Sequence, residues 1–159
     1  MQTIFKRLNN MYLVLLVGQA LFCLTVVFLQ IGEPETRVVL AAYKEGPDTY
    51  ERLLLMLGLP LMGAAWLLSR KRAQEGAMIE GLQAKLAHYR QTVTLRITLI
   101  EIVNVMAMVI ALLASDMSYL LYFAVGLFVF LMFRPSTSGF IRHYALSPQE
   151  AAELKTIAA

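Results

Sequence analysis

Cysteine, histidine and charged residues are all scarce in this sequence. Its 159 residues include one cysteine and two histidines, and Asp, Glu, Lys and Arg together make up 16% of them. One cysteine excludes a disulfide within the chain, and with two histidines it is too few for a thiolate or imidazole metal site. Soluble domains carry about 25% charged residues, so this chain has too little charge to cover a water-soluble surface.

Motifs of catalysis and nucleotide binding are also missing. The sequence contains no G-x-x-x-x-G-K-[ST], G-x-G-x-x-G or G-x-S-x-G pattern. His88 and His143 lie outside the long apolar runs, so neither is placed to hold a haem inside a membrane. The hydroxyl residues 136–138 are close to His143, but no carboxylate is positioned to complete a triad. We therefore expect no enzymatic activity, no cofactor and no nucleic-acid partner.

Apolar residues are what the chain has in quantity, since 58% of it is hydrophobic. They form four long runs, at about 11–31, 53–69, 97–114 and 117–133. A helix rises 1.5 Å per residue, so each run is long enough, or nearly so, to cross a hydrocarbon layer about 30 Å thick. The sequence therefore predicts a single all-α membrane domain, a bundle of four spanning helices with the lipid bilayer as its immediate partner.

Basic residues predict the orientation of these helices. Of the 14 Lys and Arg residues, eleven lie in the N-terminal tail, in segment 70–96 or in the tail 134–159, and three lie in segment 32–52. Cytoplasmic segments of membrane proteins are enriched in Lys and Arg. Both termini and segment 70–96 are therefore predicted to be cytoplasmic, and 32–52 external, as in a multi-pass protein of a bacterial inner membrane. Within the external segment, residues 37–43 form either a short interfacial helix or an ordered loop.

The cytoplasmic segment before the third run has the periodicity of a helix. Its apolar residues recur at steps of three and four, which places them on one helix face. We call this face the contact stripe; it consists of Ile79, Leu82, Leu86, Tyr89 and Val93. We predict that the third spanning helix continues unbroken below the membrane from about residue 77, as a rod on the order of 55 Å long. The stripe must then be covered by the C-terminal tail, a second copy or another protein.

The C-terminal tail carries its own helix signals. Pro135 ends the fourth run, and further on Ser147, Pro148 and Glu150 have the spacing of an N-cap, a first helical position and a capping-box glutamate. This pattern predicts a short cytoplasmic helix from residue 148 to about 157. The helix either docks a partner or covers the extended third helix.

Polar side chains inside the runs mark the candidate functional site, because each is costly in hydrocarbon. The candidate site comprises Gln19 in the first run and Thr94, Thr98, Glu101 and Asn104 along one face of the third helix. Arg70 and Arg134, at the cytoplasmic ends of the second and fourth runs, are candidate charge partners of Glu101. Two interpretations remain open: Glu101 couples a proton or cation with Asn104 as a further ligand, or the group holds the helices together.

Short strings in the second half of the chain carry a resemblance. They are Lys85-Leu86, Tyr89-Arg90, Arg96, Glu101, Arg134-Pro135 and the segment 146–150. In these strings the chain resembles a group of uncharacterised bacterial four-span inner-membrane proteins, which implies the same topology and no particular chemistry. We expect a non-catalytic accessory or structural subunit of a membrane assembly, with other membrane subunits or further copies as partners. The alternative is a small transporter or ion-conducting homo-oligomer that uses the glutamate and asparagine.

Overall fold

The computed structural model describes residues 2–31 and 47–158, and every regular element in these ranges is a helix. The predicted interfacial segment 37–43 lies outside the described residues, as does most of the predicted external connection. In chain order the elements are α1 (Gln2–Ile31), α2 (Pro47–Ala77), α3 (Leu82–Ala114), a 3-10 turn (Met117–Tyr119), α4 (Leu120–Met132), α5 (Thr137–His143) and α6 (Pro148–Ala158). The all-helical fold class is thus confirmed.

Three helices are long and apolar enough to cross a membrane: Phe5–Ile31, Thr49–Ala77 and Leu82–Ala114. A fourth is counted when Met117–Met132 and Thr137–His143, which meet at 75°, are taken as one broken span. Pro135 lies in that bend, where it has no backbone N–H to continue the helix. The four predicted apolar runs therefore correspond to three or four candidate spans.

The connection between α2 and α3 differs from the sequence prediction. α2 continues past Ser69 to Ala77, and α3 begins at Leu82 rather than at about residue 77. The turn between them contains Gly81 at φ +87°, a backbone conformation that side chains disfavour. Ile79 lies in this turn, so it is not part of the helical stripe. With 33 residues, α3 is a rod of about 50 Å.

α3 occupies the centre of the fold and packs against α1, α2 and α4. Small residues let α2 approach closely, since Gly58 lies against Val103 and Ala65 is buried. On α4, the buried residues Phe123, Gly126 and Phe130 recur at helical spacing.

A tight turn joins α3 to α4. Ser115 takes up the left-handed conformation at φ 51°, and the Asp116 carboxylate accepts a hydrogen bond of 2.8 Å from the Ser118 backbone N–H. The left-handed Ser115 ends α3, and the hydrogen bond to Asp116 starts the 3-10 turn that leads into α4.

Two apolar cores lie along α3. The first core joins Leu86, Tyr89, Val93, Ile97 and Ile100 to residues of α1, α2, α4 and the C-terminal tail. The second core surrounds Ala107, Met108 and Ala111, and includes Val26, Leu54 and Phe123. Glu101 and Asn104 fall between the two cores in the sequence of α3, which is where the candidate site lies.

Candidate functional site

Gln19 of α1 bridges two polar side chains of α3. Its Nε2 donates a hydrogen bond to Glu101 Oε2, and its Oε1 accepts one of 2.9 Å from Asn104 Nδ2. Gln19 is 1% exposed, Asn104 is 0% exposed and Glu101 is half-buried. We call these three residues the polar cluster. Its hydrogen bonds offset the cost of burying amides among apolar side chains.

The carboxylate sets the direction of both hydrogen bonds. An ionised carboxylate only accepts, whereas a side-chain amide presents one accepting oxygen and one donating NH₂ group. When the NH₂ group of Gln19 faces Glu101, its oxygen faces Asn104, which must then supply its own NH₂ group. Asn104 Oδ1 is left without a hydrogen-bond partner among the described residues.

α4 packs against Asn104 of the polar cluster through Gly126. A Cβ atom built on Gly126 would overlap Asn104 Oδ1, so only a glycine lets α4 lie this close. Asn104 cannot move aside freely, because it is fully buried and bonded to Gln19. Gly126 is a site residue that the sequence analysis missed. A glycine inside an otherwise bulky apolar run is the signal that marks such a close approach.

The other predicted site residues lie outside the polar cluster. Thr94 is half-buried and Thr98 is exposed, and no hydrogen bond in the described part of the chain joins either to Gln19 or Asn104. No ion pair among the described residues joins Glu101 to Arg70 or Arg134. Glu101 is therefore held by an amide, and the proposed arginine partners face another part of the molecule.

A second glutamine attaches α1 to α3. Gln30 is buried, and its Nε2 donates to the backbone carbonyl of Ala111. Gln30 was not predicted from the sequence either. Gln30 follows Gln19 by eleven residues, which is about three helical turns and returns to the same face of α1. The repeat of glutamine on one face was the signal available.

Four residues of the contact stripe, Leu82, Leu86, Tyr89 and Val93, are buried. The C-terminal tail of the same chain packs on the stripe through Phe140, Tyr144 and Leu154. Gly76 of α2 makes room for this packing, because a Cβ atom there would overlap the Tyr144 ring. In this structure the stripe is covered from within the chain.

Polar contacts fasten the tail to α3. Tyr144 donates from its hydroxyl to Thr92 Oγ1 at 3.4 Å and lies 3.0 Å from His88 Nδ1. Burial raises the pKa of the Tyr144 hydroxyl, which keeps it neutral and able to donate. Lys85, which is also buried, forms an ion pair of 3.0 Å with Glu150 at the start of α6.

The predicted capping box at the start of α6 is confirmed. The Ser147 N–H donates to Glu150 Oε2 at 2.9 Å, and the Glu150 N–H donates to Ser147 Oγ at 3.2 Å. These bonds satisfy backbone donors that a helix start leaves open. The hydrogen bond from the Ser147 N–H, and then that from Lys85, hold the pKa of Glu150 below its usual value. The same carboxylate thus caps α6 and ties it to α3.

A cavity of about 320 Å³ lies where α2, α3, the end of α4 and α5 meet. We call it the arginine cavity, because its lining includes Arg70, Arg96, Arg134, Arg142 and His143 and no Asp or Glu. The guanidinium of Arg70 lies 4.5 Å from the centre of the Trp66 ring. Arg96 lies over the Phe133 ring at 4.6 Å and donates to the Phe133 carbonyl at 3.0 Å. This cavity was not predicted from the sequence, because its residues come from distant segments.

Neither a metal site among the described residues nor a matching protein indicates the function of the chain. Within the described ranges, no group of three His, Cys, Asp or Glu side chains is placed to hold a metal ion. No protein-family model, curated protein or solved structure matches the sequence.

Proposed function

We propose that the chain is a non-catalytic multi-pass protein of a bacterial inner membrane, built as a bundle of four crossing helices. The observation that carries this proposal is the exposure of large apolar side chains on three of the helices. Val14 and Phe28 on α1, Met56 on α2 and Leu121 on α4 are each at least 70% exposed. Large apolar side chains exposed to this degree on three helices are costly in water and favourable against lipid.

Both termini are proposed to be cytoplasmic. The excess of Lys and Arg in the two tails and in segment 70–96 supports this orientation. The folding of the tail onto the start of α3 also supports it, because the two segments must then lie on the same side of the membrane.

Within the membrane we propose a structural role, as an accessory subunit that associates with other membrane subunits or with further copies. The polar cluster supports this role, because Gln19 uses both its donor and its acceptor to join α1 to α3. Hydrogen bonds between spanning helices add about 0.6 kcal/mol on average and up to about 1.7. A closed arrangement of this kind stabilises one packing of the helices.

Labelling of single cysteines tests the membrane topology. A Cys23→Ser background removes the native thiol, and Ser118→Cys and Ser138→Cys place a thiol at exposed sites before α4 and in α5. A membrane-impermeant maleimide is expected to label Ser118→Cys in intact cells, and Ser138→Cys only after permeabilisation. Reversed labelling, or release of the protein from membranes by alkaline carbonate, contradicts the proposal.

The second candidate is a small transporter or ion-conducting oligomer that uses Glu101 and Asn104. It is favoured by two observations on the described residues: Glu101 has no cationic partner, and Asn104 Oδ1 has no hydrogen bond. The Glu101 carboxylate and Asn104 Oδ1 are both potential ligands of a cation.

Two substitutions of Glu101 separate the candidates. Glu101→Gln keeps an acceptor for Gln19, so the structural role predicts normal assembly, whereas Glu101→Leu removes the acceptor and weakens the contact between α1 and α3. The transport role predicts that both variants abolish flux in proteoliposomes while the protein still assembles. Glu80→Gln, an exposed carboxylate outside α2 and α3, is the control in both measurements.

A further inference from the structure

Four arginines from different parts of the fold converge on the arginine cavity. Arg70 belongs to α2, Arg96 to α3, Arg142 to α5 and Arg134 to the connection between α4 and α5. None of the four arginines forms an ion pair in the part of the chain that the structure describes. The ion pair found there joins Lys85 to Glu150. Like charges around one cavity repel one another, so an anion in the cavity would lower the free energy of the site.

The donors in the cavity match the chemistry of a phosphate group. Guanidinium groups present paired N–H donors that bind phosphate oxygens in a bidentate manner. Arg96 is already oriented by the Phe133 carbonyl and ring, and its Nε is buried without a hydrogen-bond partner among the described residues. The hydroxyls of Ser69 and Thr92, which line the same cavity, already donate to the carbonyls of Ala65 and His88, so the arginines are the donors available to an anion.

We propose that the arginine cavity binds a phosphate group, carried either by the headgroup of an anionic phospholipid or by a free phosphate ion. The lipid source rests on the proposed membrane function, which puts the cytoplasmic ends of the second and fourth apolar runs at the level of the headgroups. Basic pockets between helices on the cytoplasmic side are sites of anionic headgroup binding. The volume of about 320 Å³ accommodates a headgroup phosphate with its glycerol.

Trp66 is a built-in reporter of binding. It is the single tryptophan of the chain, it lines the cavity, and the Arg70 guanidinium lies over its ring. An anion that draws Arg70 away from the ring changes the electrostatic field at the indole and hence its fluorescence.

The experiment titrates the purified full-length chain, in a neutral maltoside detergent, with three probes while tryptophan fluorescence is recorded. The probes are a short-chain phosphatidylglycerol, the phosphatidylcholine of the same chain length, and inorganic phosphate. We expect a saturable response to phosphatidylglycerol that phosphatidylcholine does not produce. A saturable response to inorganic phosphate at similar concentrations also supports the site and assigns it to the free ion.

Charge-matched variants test whether the response comes from the cavity. Arg134→Gln/Arg142→Gln removes two cavity charges at exposed positions. Lys71→Gln/Arg90→Gln removes two charges from exposed residues that do not line the cavity. The first variant should bind on the order of tenfold more weakly, since each lost arginine removes charge-assisted hydrogen bonds, and the second should bind like the unmodified chain. Circular dichroism confirms that both variants keep their helix content.

Equal binding by the two variants, or no saturable response to either phosphate probe, overturns the proposal. These results are separate from a failure of the proposed function. A chain that inserts into membranes but does not bind phosphate refutes the cavity site alone. A chain that is monodisperse without detergent refutes the membrane function, and the titration with inorganic phosphate still decides the cavity site.

Discussion

α1 and α3 are equally hydrophobic but are buried to very different extents. The most apolar 18-residue stretches of the two helices have the same mean hydropathy, yet 17% of that stretch is buried in α1 and 50% in α3. The difference follows from position, because α3 contacts α1, α2 and α4 whereas α1 leaves most of its circumference uncovered. Hydropathy thus indicates which helices can span a membrane, whereas packing against neighbouring helices decides at which residues a substitution alters stability.

The two helices also use their polar residues in the same restricted way. Gln19 and Gln30 lie on the buried face of α1, and Asn104 lies fully buried on α3. On the exposed face of α1, Thr25 bonds only to the carbonyl of Leu21 in its own helix. Among the described residues, the interhelical polar contacts of α1 are those of Gln19 and Gln30 with α3 and that of the Tyr12 hydroxyl, which donates to the Phe130 carbonyl on α4.

The largest difference in stability is expected between two glycine-to-alanine substitutions, one on α4 and one on α1. Gly126→Ala, at the contact with α3, forces a Cβ atom onto Asn104 and should destabilise the protein by about 1–3 kcal/mol through overpacking. Gly18→Ala, on α1, meets no atom within 4 Å and should stabilise by about 0.5–1 kcal/mol, because alanine favours the helix. Reversible unfolding in mixed micelles measures both. Equal effects of the two substitutions would show that α4 does not press on the polar cluster.

A change in stability of intermediate size is expected for a substitution in the polar cluster. Gln19→Leu leaves Glu101 and Asn104 without their shared partner and should cost about 1–2 kcal/mol of unfolding free energy. Thr25→Val changes the exposed face of the same helix and should shift stability by less than about 0.5 kcal/mol. The Gln19→Leu/Asn104→Leu pair completes a double-mutant cycle. Strict additivity in that cycle would mean that the two side chains do not interact.

The smallest change in stability is expected for a substitution in the C-terminal tail, which packs on α3. Glu150→Gln removes the ion pair with Lys85 and should lower stability by a few tenths to about 1 kcal/mol at neutral pH. Because the pKa of Glu150 is lowered in the folded protein, its contribution is complete above the ordinary value of 4.5 and is lost as the pH falls through the folded value. Thermal unfolding midpoints of both forms between about pH 7 and 3 should therefore converge at low pH. A difference that stays constant with pH would exclude the ionised carboxylate as its cause.

Local sequence signals predicted the helix ends that depend on nearby residues. The capping box at Ser147 and Glu150 is confirmed, because it is satisfied by hydrogen bonds within a few residues. The turn at residues 78–81 was missed because the apolar periodicity runs across it and only Gly81 marks the break. Gln30 and Gly126 were missed because their roles depend on which helices become neighbours.

The sequence by itself determined that this chain forms long apolar helices, where its capped ends lie and on which segments its basic charge is concentrated. These properties depend on residue composition and on interactions within one or two helical turns, so they do not require distant segments of the chain to meet. Only the tertiary structure decided that α3 takes the central position, that Gln19 rather than an arginine holds Glu101, and that four arginines meet at one cavity. Each of these results requires residues distant in the sequence to come together, and side-chain shape and close packing select that pairing where hydrophobicity alone does not.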